Sequence, residues 1–165
     1  MQKTPEMAVV AAAWETGVAA KKRKGRVAAA LTFTNMPKKI LFVCVETSNR
    51  SQMSQAFAKM IGGASVKAYS AGSKPSGRIN QKAIVAMKEL GYDLKSHRSK
   101  SLDQVEEFAP FDAVVTMGCG DACPWMPSKK FIDWDIPDPR EMNEDDFRKV
   151  RDLIQEKVKA LIASL

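Results

Sequence analysis

The chain is poor in cysteine, with three in 165 residues, and poorer still in histidine, with one. An odd cysteine count beside no convincing secretion signal argues against a static disulfide framework. Three cysteines and the lone His97 also make a poor four-ligand set for zinc, so no metal is expected. No apolar run approaches the roughly 18 residues that a membrane span needs. An excess of one charge is missing from most of the chain. Residues 1–38 carry seven basic residues against two acidic ones, and residues 39–165 carry nineteen against seventeen. The net charge of +7 therefore sits mostly in the leader. A whole-protein role on nucleic acid loses its main support. A reducing, cytoplasmic compartment is expected, and a monomer. In such a compartment three cysteines suggest chemistry.

What is present reads as one domain that can bury a core without staples. Residues 1–37 stand apart. They are Ala-rich, they carry the run Lys21-Lys22-Arg23-Lys24, and they lack a sustained amphipathic stripe. A disordered or extraneous N-terminal extension is the plain reading. A nuclear, nucleic-acid or organelle-targeting role for the basic run is the sharper alternative.

From residue 38 to residue 165 the pattern is orderly. Ile40 to Val45 is a continuous apolar run, as in a strand buried on both faces. Met53, Ala56, Phe57 and Met60 then recur at helical spacing until Gly62-Gly63. Val66 to Ser70 reads as a second strand. Asn80 can cap a helix carrying Ile84, Met87 and Leu90. Ser101 is expected to cap a shorter helix near Leu102 to Phe108. Ala113 to Met117 is a third buried strand, and Phe131 to Trp134 a short edge strand. The last helix runs from about Glu144 to Ala163, with Phe147, Val150, Leu153, Ile154, Val158 and Leu161 on one stripe. Alternating strands and helices imply a three-layer α/β/α fold around a parallel sheet of four strands. Active groups then belong at the carboxyl ends of the strands.

Cys44 falls at such an end, and Arg50 follows six positions later at the start of a helix. The intervening Val45-Glu46-Thr47-Ser48-Asn49 can turn its N–H groups onto a tetrahedral oxyanion, where the helix dipole also favours negative charge. Arg50 can add a forked contact. The same field favours a cysteine thiolate, and Ser51 can donate to it. A buried structural cysteine beside a surface arginine is the plainer reading, but polar residues follow the strand at once. Asp138-Pro139 follows the edge strand, and on its own reads as either a general acid or a turn. Cys119 and Cys123 share a loop after the third strand, and could be redox partners or inert.

The segment from Val43-Cys44 to Arg50-Ser51-Gln52-Met53-Ser54 resembles the active-site loop of low-molecular-weight tyrosine phosphatases. It is closer to the arsenate reductases built on that fold. The likeness continues through Tyr69-Ser70-Ala71-Gly72, through Ser96-His97 with Ser99-Lys100-Ser101, through Thr116 to Pro124, and through Trp134-Asp135 with Asp138-Pro139. It covers about residues 38–164. Two loop positions depart from the pattern. Thr47 stands where the family commonly has asparagine, and Asn49 where it commonly has cysteine. The first change removes that asparagine from loop ordering and from any cation site built on it.

The resemblance implies a catalytic set of Cys44, Arg50, Ser51, Asp138, Cys119 and Cys123, with the backbone and side chains from Val45 to Arg50 holding the substrate. That substrate would be arsenate, with phosphate and sulfate as analogues. Cys44 would attack it, Asp138 would protonate the leaving oxygen, and the electrons would come through a Cys44/Cys119/Cys123 disulfide relay. The family also supplies the order of the two relay cysteines. No cofactor is expected to be bound. An external thiol donor, with thioredoxin favoured, would regenerate the enzyme. The alternative is a phosphatase hydrolysing monoesters through a Cys44 phosphocysteine. Phosphotyrosine enzymes of the fold usually place aromatic residues after the Asp-Pro. Arg140 and Glu141 stand here, which favours a small inorganic oxyanion. A non-catalytic oxyanion-binding module is the third reading.

Overall fold

The computed structural model describes residues 36–120 and 123–165. The extension expected over residues 1–37 falls almost wholly outside them, as do two residues of the loop between Cys119 and Cys123. Four parallel strands form one sheet in the order β2-β1-β3-β4, with β1 Lys38–Cys44, β2 Val66–Gly72, β3 Phe111–Thr116 and β4 Ser128–Asp133. Helices α1 (Arg50–Gly62), α2 (Gln81–Lys88), α3 (Asp103–Glu106) and α4 (Glu144–Ala163) complete the fold. No helix among the described residues is long and apolar enough to cross a membrane.

Strand β1 explains why its sequence is apolar without alternation. Ile40, Phe42 and Cys44 join one buried cluster with α1, α2 and α4. Leu41 and Val43 point the other way, into a second cluster with Leu102, Val105 and Phe111. A strand covered on both faces has no solvent side to mark with polar residues. Burying each large apolar side chain contributes about 1.5–3 kcal/mol, so β1 is fixed in register from both sides. Helix α1 buries Met53, Ala56 and Phe57 on this strand, and stops where Gly63 adopts a positive φ of 49°. Asn80 caps α2 by accepting from the Lys82 N–H at 2.9 Å. Asn143 caps α4 in the same way through Asp146.

Three local readings change. Ser101 does not cap α3; its backbone forms a parallel bridge with Gly72, and its N–H donates to Gln104 Oε1. Leu90 and Met60 are partly exposed, at 38% and 43%, and stand outside the core. Leu153 lies at the rim of the α4 stripe, and Arg151 is buried on that stripe. Arg151 is tolerated there because Glu89 Oε2 (2.8 Å) and Ala86 O (3.0 Å) both accept from its guanidinium. A buried charge needs such partners.

Chain order places a crevice at the active edge. From β1 the chain moves to β2 on one side, then crosses back to β3 on the other. The carboxyl ends of β1 and β3 therefore flank a topological switch point, where ligands bind in open α/β sheets.

Candidate active site

Cys44 is the last residue of β1 and Arg50 the first of α1. The loop between them, with Gly118 and the Asp138–Arg140 segment, lines a cavity of about 450 Å³. No acidic residue occupies the first turn of α1, so no carboxylate of the helix itself offsets the positive end that faces the cavity. Gly72 makes room for the loop: a Cβ there would lie 2.6 Å from the Val45 carbonyl oxygen.

Cys44 is buried, at 4% exposure, and its sulfur lies among donors. The Thr47 N–H approaches it at 3.2 Å and the Ser51 hydroxyl at 3.0 Å. Ser51 is also 2.9 Å from Thr47 Oγ1. Gln52 Nε2 donates to Thr47 Oγ1 at 3.1 Å, to Thr47 O at 2.9 Å and to Arg98 O at 3.0 Å. Gln52 Oε1 faces His97 Nδ1 at 3.0 Å, and His97 Nε2 faces the Tyr92 hydroxyl at 2.8 Å. One assignment satisfies every pair. Tyr92 O–H donates to Nε2 and Nδ1–H to Gln52. Gln52 donates to Thr47, Thr47 to Ser51, and Ser51 to the sulfur. Burial first, then Lys59 and Lys100, push His97 down to about 4, which keeps the imidazole in the neutral form this chain requires.

The family departure at Thr47 has a visible consequence. Thr47 is the sole described non-glycine residue at positive φ, 46°, a conformation costly for a β-branched residue. Its N–H, carbonyl and hydroxyl are all engaged, which offsets that cost. Asn49 is buried and its Oδ1 has no partner among the described residues.

Arg50 is held at the cavity floor. Its Nη1 donates to Ile136 O at 2.7 Å, and its Nη2 is 3.6 Å from Asp138 Oδ2. Gly118 supplies the wall behind it. The φ there is +68°, and a Cβ would meet Arg50 Nη1 at 3.0 Å. Asp138 is partly exposed at the mouth.

The remaining two cysteines lie elsewhere. Cys119 and Cys123 form a disulfide with Cα atoms 5.7 Å apart, while Cys44 is free. Cys119 packs in the cluster with Leu41 and Val43, on the sheet face opposite Cys44. The structure thus gathers Cys44, Val45, Glu46, Ser48, Asn49, Arg50 and Asp138 around one cavity, with Ser51 and Thr47 buried behind the Cys44 sulfur, and keeps the Cys119–Cys123 pair outside it. Among the described residues no group of three or more His, Cys, Asp or Glu could hold a metal ion. Sequence alone leaves His97 as a structural or surface residue, and it is structural: it supports the loop from behind through Gln52. Gly118 carries a signal only as a glycine after a strand, and its place behind Arg50 is not legible there.

These features define a class. A model of the low molecular weight phosphotyrosine protein phosphatase family matches residues 39–165, and the chain belongs to that family. Within it the relatives have a narrower character. The chain is 37% identical over 133 residues to the glutaredoxin arsenate reductase of Synechocystis sp., covering 78% of this chain and 98% of that one. It is 41% identical over 122 residues to arsenate reductase 2 of Staphylococcus epidermidis, covering 72% and 91%. A solved thioredoxin-dependent arsenate reductase of Corynebacterium glutamicum superposes with a TM-score of 0.65 at 33% identity, covering 88% and 70%.

Proposed function

We propose that this chain is an arsenate reductase whose single catalytic domain spans residues 38–165. One observation carries the reading: Cys119 and Cys123 are joined while Cys44 remains a free thiol beside an anion cavity. A phosphatase has no use for two electrons. A reductase that returns its nucleophile between turnovers ends each cycle with this pairing.

The sequence of events follows. Arsenate binds in the loop from Val45 to Asn49 against Arg50. The Cys44 thiolate, steadied by Ser51 and the Thr47 N–H, attacks arsenic, and Asp138 protonates the departing oxygen. Cys119 then attacks the Cys44 sulfur. The electron pair of the S–As bond passes to arsenic, which leaves as arsenite, and a Cys44–Cys119 disulfide forms. Cys123 attacks Cys119, returning Cys44 as a thiol and leaving Cys119–Cys123. An external dithiol reduces that pair. The names of the relatives support both glutaredoxin and thioredoxin as donors; the pair of relay cysteines favours thioredoxin. Phosphate and sulfate act as analogues. The reaction runs in a cytoplasmic monomer.

Because Cys119 lies across the sheet from Cys44, the middle step needs the loop after β3 to swing. Gly118 and Gly120, both at positive φ, are the hinge positions available. Bridging requires Cα atoms within roughly 4.4–6.8 Å. Disulfide mapping of the fully reduced protein, freed of reductant and taken through one turnover with arsenate, tests the proposal. One arsenite per chain and a Cys119–Cys123 bridge are expected. Aryl phosphate hydrolysis persisting in Cys119→Ala, with no arsenite formed by the wild type, would replace it with the phosphatase reading.

A further inference from the structure

Arg140 takes no part in the steps above, yet its guanidinium crosses to the anion loop. Its Nη2 is 2.8 Å from Glu46 Oε2 and 3.8 Å from Asp138 Oδ2. Both ends of this bridge are fixed at the backbone. The Glu46 carbonyl accepts from the Ser76 N–H at 3.1 Å and from Ser99 Oγ at 3.0 Å. The Arg140 N–H donates to Asp138 Oδ1 at 3.1 Å, and the Arg140 carbonyl accepts from Lys82 Nζ at 3.3 Å. Two cavities meet at the pair. One is the anion cavity. The other, of about 800 Å³, is polar, and Glu46, Ser48 and Arg140 belong to both walls.

We propose that the Glu46–Arg140 pair is a specificity-determining strap that restricts the site to oxyanions carrying no ester substituent. The inference rests on the arsenate reading and deepens it by naming what the cavity rejects. An acid that protonates a leaving oxygen must lie beside that oxygen, so the substituent of an ester leaves the cavity past Asp138. Arg140 lies along that route. An ester group therefore pushes the guanidinium off Glu46 and strands a carboxylate beside a dianion. An unsubstituted tetrahedral anion displaces nothing. An aryl ring would also meet an ion pair where an aromatic face would otherwise stack.

The test uses the full chain with Arg140→Ala and, separately, Glu46→Gln. Two quantities are measured in one para-nitrophenyl phosphate assay: the competitive Ki of phenylphosphonate, an unhydrolysable stand-in for an aryl ester, and that of inorganic phosphate. Both are binding constants that bypass the proton step at Asp138, which Arg140 also touches, so the preference for substituted over free anion isolates the strap. That preference rises at least threefold in both variants. A rise below threefold in both, with thermal melts close to wild type, overturns the strap. The assay contains no arsenic, so absence of arsenite formation by the wild type would sink the reductase reading alone.

Discussion

The Ser51 hydroxyl sits 3.0 Å from the Cys44 sulfur and 2.9 Å from the Thr47 hydroxyl, so one buried side chain links the nucleophile to the loop that encloses it. A hydrogen bond to a charged group is worth about 1.5–3 kcal/mol, on the order of ten- to a hundredfold in a rate or equilibrium. Ser51→Ala removes the donor without adding bulk. The variant should lose about that much in the single-turnover rate of arsenite release by the pre-reduced protein. An unchanged rate would mean that the serine orders the loop without acting on the sulfur.

Gly118 and Arg50 test the cavity wall. A Cβ at residue 118 would lie 3.0 Å from Arg50 Nη1, at a backbone φ of +68°. Gly118→Ala should shift the guanidinium from the cavity floor. The expected result is a rise of roughly tenfold in the dissociation constant of inorganic phosphate, as for one good charge-assisted contact. Titration calorimetry reads it directly. Affinity equal to wild type would show that Arg50 has room to retreat.

Much of this arrangement is legible in the sequence, for identifiable reasons. β1 and β3 are covered on both faces, so their apolar runs announce them. The order β2-β1-β3-β4 is the parallel arrangement that alternating strands and helices imply. The nucleophile loop is local, with Cys44 and Arg50 six residues apart, so spacing alone suffices. What spacing does not reveal is long-range. His97 meets Gln52 across 45 positions, and Arg151 is buried only because Glu89 and Ala86 happen to face it. The Glu46–Arg140 pair joins two loops that are distant in sequence. Ser101 misleads for the same reason: its preference for helix starts yields to a bridge with Gly72.

His97 makes stability depend on pH. Burial, then Lys59 and Lys100, lower it to about 4 from an ordinary 6.5. The unfolded chain therefore takes up a proton near pH 6.5 that the folded chain refuses until about pH 4. Stability from this group is complete above pH 6.5, falls as the pH drops through the window between those values, and levels off below it. Between pH 7.5 and 5 the loss should be on the order of 1 kcal/mol once solvent screening at the half-buried ring is allowed for. Urea unfolding of wild type and His97→Gln at both pH values isolates it, because the variant lacks this limb. Parallel pH dependence in the two proteins would remove His97 as the cause.

The relay makes its sharpest prediction at Cys123. In the structure Cys119 is already bridged to Cys123 and lies across the sheet from Cys44. If Cys119 reaches Cys44 only during turnover, taking away its second partner should strand it there. Cys123→Ser should release one arsenite per chain in a single turnover and then stop, with Cys44 and Cys119 linked. Cys119→Ser should release none, because nothing then draws the Cys44 sulfur away from arsenic. Peptide mapping under acid quench distinguishes the two variants, and a strong small dithiol should restart the first and not the second. A Cys123→Ser enzyme that cycles at the wild-type rate with a protein dithiol would mean that the donor attacks the Cys44–Cys119 bridge directly. Cys123 would then be dispensable, and the loop swing would be the only intramolecular step.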